Sequence, residues 1–198
     1  MNFKFWITMR ILSGRLKGKN FYMPFGIRPT SDVMRKSLFD FLDSYIQGCD
    51  FIDIFSGSGA VGLEAMSRGA KNVTFVEKDL KAASVIEENL MLLALPLAER
   101  KDRYFNVFKK DALSAIKELF SQKKAFDIVF IDPPYGKGLV KKALKTLEGY
   151  DILKPNSLLI FQHEKHEALP QTQGRFSVIR VKKFGSSLLT IYRRTSDV

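Results

Sequence analysis

The chain has 198 residues, 45% hydrophobic and 27% charged, which fits one globular domain with room for a small appendage. That composition excludes a disordered chain, a collagen and a disulfide scaffold, and no apolar run approaches the roughly 18 residues of a membrane span. Lys and Arg number 32 against 21 Asp and Glu, a net charge of +11, and an excess this large points to a polyanionic partner, RNA or DNA.

The single cysteine, Cys49, has no partner for an internal disulfide. No Cys/His cluster suggests zinc, so no metal is expected. Cys49 opens an apolar run, which suits a small buried hydrophobe better than a nucleophile. Residues 1–8 carry one lysine and no small-residue cleavage site. No signal peptide or membrane association is therefore expected, and the expected compartment is the cytoplasm. Met9, where patterned sequence begins, is an alternative start.

Residues 9–12 and 19–23 are short β-prone runs around the basic turn Ser13-Gly14-Arg15-Leu16-Lys17-Gly18, which predicts a hairpin. Arg28-Pro29-Thr30-Ser31-Asp32 follows, and Thr30 or Ser31 can cap the next helix. Apolar residues at Val33, Met34, Leu38, Phe41, Leu42 and Tyr45 give that helix its 3.6-residue period. From residue 50 onward strands and helices alternate. Strands are expected at 51–55, 73–76, 104–108, 127–131 and 157–161. Helices are expected through residue 68, at 80–93, 112–120 and 139–147. Residues 176–181 and 188–192 suit a closing hairpin around Gly185. This alternation predicts an α/β, Rossmann-like fold: a mostly parallel sheet with helices on both faces. The boundary expected is near residue 48, with a basic N-terminal appendage at 1–48 and a catalytic domain at 49–198. Ligands in such sheets bind beyond the carboxyl ends of the strands.

Three motifs fall at those ends. In Asp53-Ile54-Phe55-Ser56-Gly57-Ser58-Gly59-Ala60-Val61-Gly62 the glycines have the G-x-G-x-x-G spacing of a nucleotide fingerprint. Asp53, just before the loop, would repel a pyrophosphate. It suits a ligand carrying an ammonium, as the amino-acid end of S-adenosyl-L-methionine does. Glu77 ends the second strand and can accept from both ribose hydroxyls. Lys78 follows it, and Phe55 and Ser58 lie within the glycine loop. Asp111 with Ala112 is a candidate adenine contact or a helix N-cap.

The third motif is Asp132-Pro133-Pro134-Tyr135. The prolines stiffen the backbone just past a buried strand. Asp132 and the Pro133 carbonyl can both accept from one exocyclic amine. Its lone pair is delocalised into the base ring, and two acceptors off the ring plane favour a pyramidal, nucleophilic nitrogen. Tyr135 offers a stacking face. The plain alternative is a Pro-Pro turn with a capping Asp.

On these stretches the chain resembles class I S-adenosylmethionine-dependent methyltransferases. It is most similar to the bacterial RsmD-type family, which methylates N2 of a guanine in 16S ribosomal RNA. The likeness runs through Arg10-Ile11-Leu12-Ser13-Gly14, Lys17-Gly18-Lys19, Arg28-Pro29-Thr30, Asp32, Arg35, Leu38-Phe39, residues 53–64, Ser67-Arg68-Gly69-Ala70, Val76-Glu77 and residues 132–135. It implies a seven-stranded sheet with the last strand antiparallel. S-adenosyl-L-methionine would lie against Asp53, Gly57, Gly59, Glu77, Asp111 and Ala112, and the guanine against Asp132, Pro133 and Tyr135. Arg28 and Thr30 would lie beside the active site. The implied partner is 16S ribosomal RNA within a 30S assembly particle, met by a monomer. The chain departs from the family at Gln162, where many relatives carry glutamate. Arg15, Lys17, Lys19, Arg28, Arg35 and Lys36, with Lys137, Lys141 and Lys142, are expected near the strands' carboxyl ends to meet RNA. Three alternatives remain open at this point: an amine methyltransferase for DNA adenine or protein glutamine, an NAD-dependent oxidoreductase, and a non-enzymatic RNA-binding module.

Overall fold

The structure, a computed structural model, describes residues 7–27, 30–94 and 104–195. Arg28 and Pro29 therefore lie outside the described residues. β1 (Ile7–Arg10) and β2 (Asn20–Met23) form the expected antiparallel hairpin, with Ile7 opposite Met23. α1 (Asp32–Phe41) and the short α2 (Asp43–Ile46) follow. Ser31, not Thr30, caps α1: its hydroxyl accepts from the Met34 N–H at 3.3 Å.

The alternating part comprises β3 (Asp50–Ile54), α3 (Ala60–Arg68), β4 (Asn72–Val76), α4 (Leu80–Ala94), β5 (Tyr104–Phe108), α5 (Ala112–Ser121), β6 (Phe126–Ile131) and α6 (Leu139–Gly149). β7 (Leu153–Glu164), β8 (Thr172–Gln173), β9 (Phe176–Phe184) and β10 (Ser187–Arg194) complete it. Among the described residues the main sheet has eight strands in the order β5-β4-β3-β6-β7-β10-β9-β8. The first five positions are parallel, and β10 is antiparallel to both neighbours. The expectation of seven strands is thus corrected by one: two-residue β8 adds to β9 at the edge. No periodic pattern marks so short a strand.

Apolar side chains from the two sheet faces enter two clusters. One joins Phe51, Ile128, Phe130, Leu158 and Ile160 to Leu38, Phe39 and Leu42 of the α1 region and to α3. It also takes in Ile11, Leu16 and Phe21, so the N-terminal hairpin shares its core with the sheet. The other joins Ile52, Ile54, Val129, Ile131, Leu159 and Phe161 to α5 and α6. The order in which successive strands are added reverses between β3 and β6, and a ligand crevice is expected above that switch point.

The helical stripe expected for α1 needs correction. Val33 is 72% exposed, whereas Arg35 and Phe39 are fully buried. The face toward the sheet runs Met34, Arg35, Leu38 and Phe39, one position round from the apolar count. β7 begins four residues earlier than expected. Its first part is irregular, with Phe126 opposite Leu153 but Ile128 opposite Leu158. Pro155 cannot donate to a ladder and Asn156 sits at φ +63°, so the extra residues bulge out.

Candidate active site

The glycine loop springs from β3 with a run of unusual backbone angles. Phe55 lies at φ +64°, Gly57 at +53° and Gly59 at +76°. A phenylalanine in the left-handed region is strained, and hydrogen bonds on both sides hold it there. Ser56 donates its hydroxyl to the Asp53 carbonyl at 2.6 Å and accepts the Val76 N–H at 2.9 Å. Its own N–H donates to the Val76 carbonyl. Sequence reasoning passed over Ser56, because a lone serine in a glycine loop carries no signal of this tie to β4. Gly62 has a different purpose from the first two glycines. A Cβ there would lie 2.2 Å from a ring carbon of Phe75, so only glycine lets α3 pack this closely on β4.

Asp53 is 2% exposed and accepts the Gly62 N–H at 3.0 Å. It therefore anchors the start of α3. Burial pushes its carboxyl up to about 7; the Gly62 N–H opposes this and the charge of Glu77 adds to it. A buried acid with a second acid nearby is a fit for a cationic group, which would favour its ionised form. Glu77 is half-buried at the end of β4. Its carboxylate accepts the Gly57 N–H at 2.9 Å and the Asp79 N–H at 2.8 Å. Those bonds leave acceptor capacity on both oxygens, as a carboxylate has about four lone-pair sites. Lys78 is exposed beside it, and Ser58 is buried in the loop. Asp111 is the N-cap of α5, its Oδ1 accepting from Leu113 and Ser114, while Ala112 is buried.

The acidic corner stands next to this loop. The Asp132 N–H donates to the Ile54 carbonyl at 3.3 Å, so the two motifs leave the sheet from bonded residues of adjacent strands. Thr30 Oγ1 donates to Asp132 Oδ2 at 3.4 Å, across 102 residues of sequence. Asp132 and Tyr135 are half-buried, Pro133 is buried and Pro134 is exposed. The Tyr135 hydroxyl bonds Ser187 Oγ at 2.8 Å; Ser187, at the start of β10, had no distinguishing mark in the sequence. Ile27 lies against the glycine loop, its Cγ2 3.3 Å from where a Gly57 Cβ would stand. Ile27 thus borders the glycine loop and Thr30 the acidic corner.

The expected basic surface is placed differently. Arg35 is fully buried. Its Nη2 donates to the Arg10 carbonyl and to Asp32 Oδ1, both at 2.8 Å, and its guanidinium lies 5.8 Å from the Phe21 ring centre. It pins the hairpin to α1 and offers RNA no surface. Lys36 is exposed but paired with Asp40. Arg15, Lys17 and Lys19 are exposed on a turn that binds the far half of α3. The Arg15 N–H donates to the Ser67 carbonyl and the Leu16 N–H to Ser67 Oγ. Seven residues of helix separate Ala60 from Ser67, about 10 Å, so this turn is not at the strands' carboxyl ends. Lys137, Lys141 and Lys142 are exposed, in the stretch that follows the acidic corner.

Sheet order, glycine loop and Asp-Pro-Pro-Tyr corner define the class: an α/β methyltransferase with a Rossmann-like sheet. A family model described as "Conserved hypothetical protein 95" matches residues 9–193. The chain belongs to that family. It is 33% identical to the Ribosomal RNA small subunit methyltransferase D of Haemophilus influenzae, over 93% of each chain. The protein of that name in Escherichia coli K12 is 31% identical over 96% of this chain and 91% of its own. A solved structure of an Escherichia coli methyltransferase superposes with a TM-score of 0.82 at 31% identity, covering 96% of this chain and all of that one. The fold also matches a Thermus thermophilus 16S rRNA N2 methyltransferase solved with AdoMet and guanosine. Its TM-score is 0.68 at 19% identity, over 96% of this chain and 50% of that one.

Proposed function

We propose that this protein transfers a methyl group from S-adenosyl-L-methionine to the exocyclic N2 amine of a guanine in small-subunit ribosomal RNA. The observation that carries the reading is the bonded junction of Asp132 with Ile54. It sets an acidic, proline-stiffened corner beside a glycine loop whose buried acid fits a cation. The names borne by relatives at 31–33% identity over nearly the whole chain supply the RNA class, and the net charge of +11 agrees with a polyanion.

When bound, S-adenosylmethionine supplies an electrophilic methyl on its sulfonium. The chain's own residues do the rest. Gly57 and Gly59 let the loop backbone approach the ligand, and Asp53 offers a carboxylate toward an ammonium. Glu77 accepts from ribose hydroxyls, and Asp111 with Ala112 borders the adenine. Asp132 and the Pro133 carbonyl accept from the two N–H bonds of the guanine amine. They hold its lone pair out of conjugation and aim it at the methyl. Tyr135 stacks on the base. Asp132 can also take the proton that the amine sheds, though orientation and electrostatics carry most of the rate. The guanine must be unpaired or flipped from its stack, because a paired N2 faces its partner. A part-assembled 30S particle met by one copy of the chain suits that requirement.

The test is to incubate free ribosomal RNA and 30S particles with labelled S-adenosylmethionine and digest to nucleosides. Label is expected in N2-methylguanosine; label in methyladenine or in protein overturns the substrate assignment.

A further inference from the structure

We infer that Gln162 reads the Watson–Crick edge of the target guanine beside Asp132, and so sets base specificity. This deepens the proposed function and rests on it.

The placement follows from register. Ile131 of β6 pairs with Phe161 of β7. The next residues, Asp132 just past the end of β6 and Gln162 within β7, therefore leave that pair side by side, at about the 4.8 Å spacing of neighbouring strands. Side-chain alternation puts them on one face. Ile128, Phe130, Leu158 and Ile160 pack into the cluster beneath α1, while Val129, Ile131, Leu159 and Phe161 pack into the opposite one. Asp132 and Gln162 continue the first series, and the Thr30 bond to Asp132 comes from that side. Gln162 is also opposite Leu189 of β10. Tyr135 leaves the β6 end and bonds Ser187 at the start of β10, so its side chain passes the end of β7 that lies between them.

Gln162 is 7% exposed, and its Oε1 is buried with no hydrogen-bond partner among the described residues. Buried amide oxygens are nearly always paired, so an orphan one calls for an explanation. A ligand donor supplies it. Guanine presents O6, N1–H and the N2 amine in a row. With N2 held at Asp132 and Pro133, the N1–H is the next group along, within reach of Gln162 Oε1. The Gln162 NH2 then donates to O6. A base without N1–H and O6 cannot complete this pair.

The experiment compares single-site RNA substrates carrying guanine or 2-aminopurine at the target. The analogue keeps the N2 amine but lacks O6 and N1–H. Wild type and Gln162→Leu are assayed for kcat/KM on both, with S-adenosylmethionine affinity measured to establish that the variant is folded. A good bidentate contact discriminates by roughly 10- to 100-fold. Gln162→Leu is expected to lose that factor on guanine and little on 2-aminopurine, so the preference collapses. Gln162→Glu keeps the volume and the acceptor for N1–H, and is expected to keep most of the preference for guanine. If Gln162→Leu lowers both substrates equally, or leaves the ratio intact, Gln162 is structural and the inference is wrong. A wild-type enzyme that methylates no guanine at all would instead overturn the function itself, a distinct outcome.

Discussion

Two acids separate the tasks of this site. On the proposed reading Asp132 belongs to the acceptor corner and Asp53 to the cofactor loop, and they should fail differently. Asp132→Ala is expected to cut turnover by about 100-fold or more, the usual scale for a lost electrostatic contact to the reacting group. S-adenosylmethionine affinity should stay within about twofold, as followed by calorimetry. Glu77→Ala should do the reverse, weakening the cofactor first, because it also releases the Gly57 N–H. Asp53 gives a pH signature. Its carboxyl is raised from 3.8 to about 7 by burial, so the ligand-free native state binds a proton that the unfolded chain has lost. Stability from this group therefore falls as pH rises between those values. A ligand ammonium favours the ionised form, so cofactor affinity is expected to climb from pH 5 to 7. The climb should vanish in Asp53→Asn; a flat wild-type profile would contradict the assignment. Burial likewise pushes the Cys49 thiol up to about 12, which keeps it an inert core residue. Its apolar neighbours in the sequence already said as much.

At the scale of elements, one buried side chain ties the hairpin's turn to α3. Glu64 of α3 is fully buried and accepts the Leu12 N–H at 2.8 Å and the Ser13 N–H at 2.9 Å, while pairing with Arg68 at 2.9 Å. Glu64→Ala leaves two amides and a nearly buried cation unmatched. A loss of about 3 kcal/mol or more is expected in denaturant unfolding. Gly62→Ala drives a methyl into Phe75 and should cost about 1–3 kcal/mol, with weaker cofactor binding because α3 must shift. The strands at 51–55, 73–76 and 127–131 were legible because buried parallel strands read as short apolar runs between turns. The three motifs were legible because glycines, prolines and acids at strand ends have few other reasons to be there. What was hidden depends on partners far away in sequence. Arg35 reads as surface until Phe21 and the Arg10 carbonyl are seen around it. The turn carrying Arg15 is positioned by Ser67, and Ser187 gains meaning only through Tyr135.

For the whole molecule, the charge of +11 should appear as salt dependence. Each phosphate contact contributes a slope of about −0.7 to −0.9 in log affinity against log salt. RNA affinity is therefore expected to fall at least about tenfold between 50 and 200 mM salt, read by filter binding. Lys137→Ala should flatten the slope by about one unit if it meets a phosphate. Activity on short, unstructured RNA would suffer from the same loss of contacts. The most direct test of the account is a crystal structure with S-adenosylhomocysteine and a guanosine nucleotide bound together. The account predicts the guanine N2 within hydrogen-bond distance of the Asp132 carboxylate and the Pro133 carbonyl, facing the sulfur. A guanine whose amine points away from that corner, or a cofactor lying outside the glycine loop, would contradict it.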